Sequence, residues 1–122
     1  MKKMKKMKTS CPVERSLEII SGKWKICILW KLLSRTYRFG EFKKEMPDIT
    51  IKMLVQQLKQ LETSCLINRK DYKTIPPKVE YSISTFGRTL TAIISNIAKW
   101  GIENEKHVNQ ALSKLNKNNY FI

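Results

Sequence analysis

Apolar positions along this chain change period, and each change marks an element. From about Val13 to Ile20 they follow helical spacing, with Leu17 and Ile20 turned inward. Ser10-Cys11-Pro12 marks the start, because proline suits a first helical position where its missing N–H would have no partner. Ser21-Gly22 ends this helix. Lys23 to Leu33 (KWKICILWKLL) is apolar almost all round except for Lys25 and Lys31, which predicts the most buried helix. Trp24 and Trp30 anchor either the core or an interface, and Cys27, midway along, reads as a packing residue. Phe39 to Met46 places Phe39, Phe42 and Met46 on one side, and Pro47-Asp48 predicts a tight turn. The stretch that follows, Ile49 to Thr63, is amphipathic. Ile51, Leu54, Val55, Leu58 and Leu61 fall on one side of the wheel, and Lys52, Gln56, Lys59, Gln60 and Thr63 on the other. Met53 and Gln57 flank the polar face, and Thr50 is placed to cap the helix.

Beyond Ser64-Cys65 the period shortens to two. Leu66 to Tyr72 and Lys78 to Ser84 read as strands, with Val79, Tyr81 and Ile83 alternating with Lys78, Glu80 and Ser82. Pro76-Pro77 cannot donate to a ladder, so the hairpin opens there. A helix from Phe86 to about Trp100 follows, capped by Ser84 or Thr85, with Leu90, Ile93, Ile94 and Ile97 on its inner face. Gly101 closes it. The last helix, about Ile102 to Leu115, carries Ile102, Val108, Ala111, Leu112 and Leu115. These two helices hold more apolar surface than so small a domain needs. Dimerisation is the expected use, with capping of the domain as the alternative. Leu17, Ile93, Ile97, Trp100, Val108, Leu112 and Leu115 are the expected interface residues.

The polar face of the Thr50–Thr63 helix has a chemistry of its own. Glutamine can present a donor and an acceptor together to the N6/N7 edge of adenine, and lysine reaches guanine or a phosphate. Two short helices joined by a tight turn form a helix-turn-helix, and the first braces the second. A solvated helix of a bundle would show the same pattern, so the remaining chain has to decide. The hairpin comes directly after this helix and carries Arg69, Lys70, Lys73 and Lys78 about its tip, as a wing that grips phosphates would.

Charge changes the balance. Twenty-four basic residues against 10 acidic ones give +14 over 122 residues, and removing Lys2, Lys3, Lys5, Lys6 and Lys8 from the total still leaves +9. A surplus that survives loss of the basic arm points to a polyanion, nucleic acid before membrane. Three scattered cysteines and a single histidine, His107, offer neither a disulfide framework nor a metal site. The Lys-rich start has no apolar run behind it and does not read as a signal peptide. No stretch reaches a membrane-spanning length of about 18 apolar residues. A cytoplasmic location is expected, without a membrane partner. No glycine-rich phosphate loop, paired carboxylates or partnered histidine suggests catalysis, so neither enzyme activity nor a cofactor is expected.

The motifs Cys11-Pro12-Val13, Gly22-Lys23-Trp24-Lys25, Arg38-Phe39-Gly40-Glu41-Phe42 and Ile49-Thr50-Ile51-Lys52-Met53-Leu54 resemble the HxlR-type branch of MarR-like winged helix-turn-helix regulators. So do Leu58-Lys59-Gln60-Leu61-Glu62, Leu66-Ile67-Asn68-Arg69, Pro76-Pro77-Lys78-Val79-Glu80-Tyr81-Ser82, Thr85-Phe86-Gly87 and Trp100-Gly101. The resemblance covers residues 11–101. It implies a mainly α protein with a small β-hairpin, a winged helix-turn-helix carrying extra N- and C-terminal dimerisation helices. The expected division is a basic flexible arm over 1–9, a DNA-binding domain over 10–101, a dimerisation helix over 102–116 and a loose tail over 117–122. Double-stranded DNA is the implied partner of the homodimer. Thr50, Lys52, Met53, Gln56, Gln57, Lys59 and Gln60 would read it, with Arg38, Arg69, Lys70, Lys73 and Lys78 on its backbone.

Four departures stand out. Asp48 and Thr50 replace a usual Gly and Ser, and Ser34-Arg35-Thr36-Tyr37 stands where a glycine often precedes Arg-Phe. Cys65 replaces the glycine that ends the reading helix in the left-handed region, which predicts strain or a remodelled turn.

The resemblance also extends to redox and electrophile sensors built on the N-terminal Cys-Pro. Independently of it, Cys11 begins a helix, where the dipole favours a thiolate, and Lys8 and Arg15 add positive charge. Cys11 is therefore either a switch acted on by a small electrophile or oxidant, or an inert residue at the dimer seam. The expected function is a sequence-specific transcriptional regulator, a repressor before an activator. The alternative is a basic nucleic-acid-binding protein without sequence preference.

Overall fold

The computed structural model describes residues 11–118, so the basic arm and the last four residues lie outside the described chain. Its elements are α1 (Pro12–Ile20), α2 (Lys25–Ser34), β1 (Tyr37–Arg38), α3 (Phe39–Glu45), α4 (Ile51–Thr63), β2 (Ile67–Asp71) and β3 (Val79–Ile83). Three helices follow: α5 (Thr85–Arg88), α6 (Thr91–Glu103) and α7 (Glu105–Lys117). The fold is mainly helical with a three-stranded antiparallel sheet in the order β1-β3-β2. The chain divides into two compact units, one ending at Leu90 and the other starting at Thr91.

In the first unit the core is one apolar cluster. Ile28, Leu29, Phe42, Leu54 and Leu61 are completely buried, with Leu32, Ile49, Leu58, Leu66 and Ile67 close behind. Phe42 holds the centre, stacked on Tyr37 at 4.7 Å and edge-on to Tyr81 at 6.2 Å. Tyr37 lies opposite Tyr81 in the register, and Arg38 opposite Glu80. The short strand β1, too brief to show a period, thus ties α3 to the hairpin. The hairpin pairs Ile67 with Ile83 and Asp71 with Val79, the two expected strands trimmed at their ends.

Helix α2 is central, as expected, yet it does not bury its whole circumference. Trp30 is exposed, and so is Cys27, which therefore is not the packing residue the apolar run suggests. An almost uniformly apolar helix cannot reveal from sequence which of its sides faces out. Helix α1 buries no residue at all, leaving Val13 and Leu17 exposed.

The turn after α4 resolves the question posed by Cys65. Its backbone is left-handed, with φ at 65°. The Leu66 N–H donates to the Leu61 carbonyl and the Cys65 N–H to the Glu62 carbonyl, both at 3.0 Å. That paired pattern is a Schellman termination, in which the left-handed position normally belongs to glycine. The fold keeps the turn and places a Cβ where it is unfavourable, at about 1–2 kcal/mol. Ser84 then ties the turn to the next helix. Its hydroxyl donates to the Cys65 carbonyl at 2.7 Å and accepts from the Gly87 N–H at 2.8 Å. Gly87 is there because nothing larger fits: a Cβ would overlap the Leu66 carbonyl and stand 2.8 Å from Ile83 Cδ1.

The continuous helix expected from Phe86 to Trp100 is broken at Thr89–Leu90. Thr89 and Leu90 donate to the carbonyls of Phe86 and Gly87, i to i+3 bonds that tighten the chain, and the Thr89 hydroxyl takes the Phe86 carbonyl as well. In the second unit α6 runs through Gly101 to Glu103. Asn104 ends it, with its backbone and side-chain N–H groups both donating to the Trp100 carbonyl. Ile102 therefore belongs to α6 and not to the last helix. Only Ile94 of α6 is buried, and α7 buries none of its residues. Among the described residues no helix is long and apolar enough to cross a membrane.

Candidate nucleic-acid interface

Helices α3 and α4 form the expected helix-turn-helix, and the acidic residues of α3 are paired with groups on α2, β1 and the link between them. The Glu41 carboxylate accepts the Arg38 backbone N–H at 2.8 Å and pairs with Arg35 at 3.2 Å. Glu45 accepts the Tyr37 hydroxyl at 2.7 Å and pairs with Lys31 at 3.0 Å and Arg35 at 3.3 Å. The Arg35 guanidinium also lies 3.8 Å over the Tyr37 ring. Both carboxyls are held below the ordinary glutamate value, Glu41 chiefly by the Arg38 N–H and Glu45 chiefly by the Tyr37 hydroxyl. Their charge is thus neutralised within the domain.

The turn into α4 is fixed from both ends. Buried Ile49 and Met46 pin it to the core, and Lys43 Nζ donates to the Ile49 carbonyl at 2.6 Å. Thr50 is the N-cap, its hydroxyl accepting the Met53 N–H at 3.0 Å. The exposed side of α4 carries Lys52, Gln56, Lys59, Gln60 and Thr63 together, as the wheel predicts. Met53 is half-buried.

Gln57 is a correction: it is only 9% exposed and turned inward. Its amide nitrogen reaches only Met53 Sδ at 3.5 Å, and its Oε1 is buried without a hydrogen-bond partner among the described residues. Conversely, Ile51 and Val55, expected inside, stand 61% and 46% exposed. The buried stripe is 54, 57, 58 and 61, and Val55 lies about 100° around the helix from Leu54. That i, i+3, i+4, i+7 spacing was present in the sequence, but an apolar residue at an inward position is the simpler assignment and hid it.

Beside this face lies a cleft of about 630 Å³ lined by Glu18, Ile19, Lys25, Gln56, Lys59 and Gln60 among others. Lys25 is 9% exposed, and burial pulls its ammonium below the ordinary lysine value. A second cleft lies between α4 and the wing, lined by Val55, Leu58, Lys59, Glu62, Arg69 and Tyr81, and the Tyr81 side chain is the chief cause that raises Arg69 above the ordinary arginine value. Arg69 is therefore oriented by the domain and set between helix and hairpin.

At the wing tip the Lys73 N–H donates to Asp71 Oδ1 at 2.8 Å, and Lys73 itself is left-handed with φ at 56°. Lys70 and Lys78 each place Nζ over the Tyr72 ring, at 4.6 and 4.3 Å from its centroid. Lys78 is half-buried and 4.0 Å from Glu80, so it is more engaged by the hairpin than Lys70 or Lys73. Arg38 is exposed where β1 meets α3. Of these cations Arg69 shares a cleft with Val55, Lys59 and Glu62 of α4, and Arg38, Lys70 and Lys73 are exposed.

The remaining predicted residues lie elsewhere. Cys11 is exposed at the start of α1, and Leu17 of α1 is 48% exposed. In the second unit Ile93, Ile97 and Trp100 are 49%, 51% and 62% exposed, with Leu112 and Leu115 also open and Val108 half-buried.

Residues 19–109 match the HxlR-like helix-turn-helix family. The HTH-type transcriptional regulator YdeP of Bacillus subtilis is 50% identical over 91 residues, covering 75% of this chain and 71% of that protein. Among solved structures, the redox regulator HypR in its reduced form superposes with a TM-score of 0.79 at 40% identity, covering 82% of this chain and 99% of HypR. Its oxidised form gives a TM-score of 0.74 at 44% identity, covering 77% and 97%.

Proposed function

Because the chain belongs to the HxlR-like helix-turn-helix family and is a transcriptional regulator, we propose that it represses transcription as a homodimer on a pseudo-palindromic operator. The observation that carries this reading is α4. One helix, capped by Thr50 and seated through Leu54, Leu58 and Leu61, leaves Lys52, Gln56, Lys59 and Gln60 exposed beside a cationic hairpin. Gln56 and Gln60 read base edges, the lysines reach guanine or phosphate, and Lys70, Lys73, Lys78, Arg69 and Arg38 hold the backbone. The apolar sides left open on α1, α6 and α7 support a second copy of the chain as their cover. A two-fold dimer places two reading helices one duplex turn apart, about 34–36 Å.

Cys11 is the proposed switch. It is exposed at the N-cap of α1, a helix with no buried residue, and HypR is by name a redox regulator with reduced and oxidised structures. Oxidation of Cys11 to a mixed or intersubunit disulfide, or its capture of an electrophile, would change the spacing of the reading helices.

A gel shift on the DNA upstream of its own and adjacent genes tests both parts, using reduced protein, diamide-treated protein and Cys11→Ser. Specific binding that diamide alters in the wild type alone supports the regulator and the switch. Specific binding indifferent to diamide removes the switch. Equal affinity for scrambled DNA removes the regulator and leaves a general nucleic-acid binder.

A further inference from the structure

The geometry points to Ile51 and Val55 as a thymine-reading strip, two apolar side chains that pack on C5-methyl groups in the major groove. This rests on α4 being the groove helix. The two residues are 61% and 46% exposed, and the core side of α4 is already completed by Leu54, Leu58 and Leu61, none more than 2% exposed. Ile51 and Val55 lie outside that buried set, and Val55 lines the cleft between α4 and the wing. They stand four residues apart, so they share one side of the helix, about 6 Å apart along its axis. Ile51 opens the first turn, held by the Thr50 cap, and the N-terminal residues of a reading helix are those that reach base edges.

Their chemistry selects the target. Thymine alone presents a methyl group in the major groove, while the other bases offer only donors and acceptors there. An aliphatic side chain gains contact with that methyl and leaves a polar edge unsatisfied elsewhere. Both residues are β-branched, with a stiff χ1, and lose little freedom on docking. The strip spans about two base-pair steps of 3.4 Å. Methyl-sensitive thymines should therefore lie one or two base pairs apart in each half-site. A second copy of the chain suits this strip poorly, because Lys52, Gln56 and Lys59 crowd it with polar groups that pairing would desolvate.

Selected DNA stands in for the operator in the test. Duplexes are selected by the wild-type protein from a random pool, and each thymine of the selected site is replaced singly by deoxyuridine, which removes only the methyl. The expected result is about a fourfold loss of affinity at one or two thymines per half-site, the value of one buried methyl. That loss should vanish in Ile51→Ala or Val55→Ala. Indifference to every deoxyuridine, with Gln56→Ala still weakening the selected site, overturns the strip and keeps the reading of α4. Methyl sensitivity that survives both variants assigns the contact to other residues and overturns it too. So does a change in the DNA-free oligomeric state of the double alanine variant, which would hand the strip to a second copy. Failure to select any sequence overturns the strip and the proposed function together.

Discussion

Helices α4 and α6 have the same length, 13 residues each, and opposite fates. The first is finished by its own chain: Leu54, Gln57, Leu58 and Leu61 are buried, and what remains outside is mostly polar. In the second only Ile94 is buried, and Ile93, Ile97 and Trp100 are left open. Stability of α4 is therefore an intramolecular matter, while the apolar side of α6 keeps its driving force for burial. A helix whose outside is amide and lysine is suited to a polar ligand, and one whose outside is isoleucine and tryptophan to another protein surface.

The contrast is broken most forcefully by two truncations. Leu54→Ala should lower the free energy of unfolding by about 2–5 kcal/mol in urea titrations, whatever the protein concentration. A loss below about 1 kcal/mol would mean that α4 is not anchored as the burial indicates. Trp100→Ala should leave that value little changed at high dilution and weaken self-association by about 2 kcal/mol, roughly thirtyfold in dissociation constant. Sedimentation that finds the variant and the wild type equally monomeric would remove α6 from any interface.

Smaller effects sharpen the picture. Gln56→Ala should lower affinity for the selected operator by about 1–3 kcal/mol and hardly alter binding to scrambled duplex. Equal losses on both probes would show that Gln56 does not read a base. Cys65→Gly should raise stability by about 1 kcal/mol, because glycine takes the left-handed turn without the Cβ clash. An unchanged urea midpoint would mean the turn stores no strain.

The smallest expected effect concerns pH. Glu41 and Glu45 are held below the ordinary carboxylate value by their partners. Their contribution is fully present above the unfolded value of about 4.3 and fades as pH falls through the lower folded values. Glu45→Gln should flatten part of that acid-side decline in thermal melts. An identical decline in the variant would assign it to other groups.

Much of this was legible in residue order. The period-3.6 stretches, the Thr50 cap and the alternation of Val79, Tyr81 and Ile83 name their elements because each signal is local. The break at Thr89–Leu90 was not legible, since hydrophobic spacing continues across it while the hydrogen bonds of Thr89 and Leu90 tighten to i to i+3. Gln57 and Val55 exchanged their expected places because a wheel gives the relative angles of side chains but not the rotation of the helix against its neighbours.

Residue order alone specifies the class of fold, the helix-turn-helix with its wing, the cationic surplus and the anomaly at Cys65. These depend on short-range sterics, capping and counted charge, all of which are properties of neighbouring residues. Packing between distant segments is what brings β1 into the sheet, pairs Glu41 and Glu45 within the domain, and leaves Ile51 and Val55 outside the buried stripe of α4. Those outcomes depend on which surfaces meet, and burial is set by residues far apart in the chain.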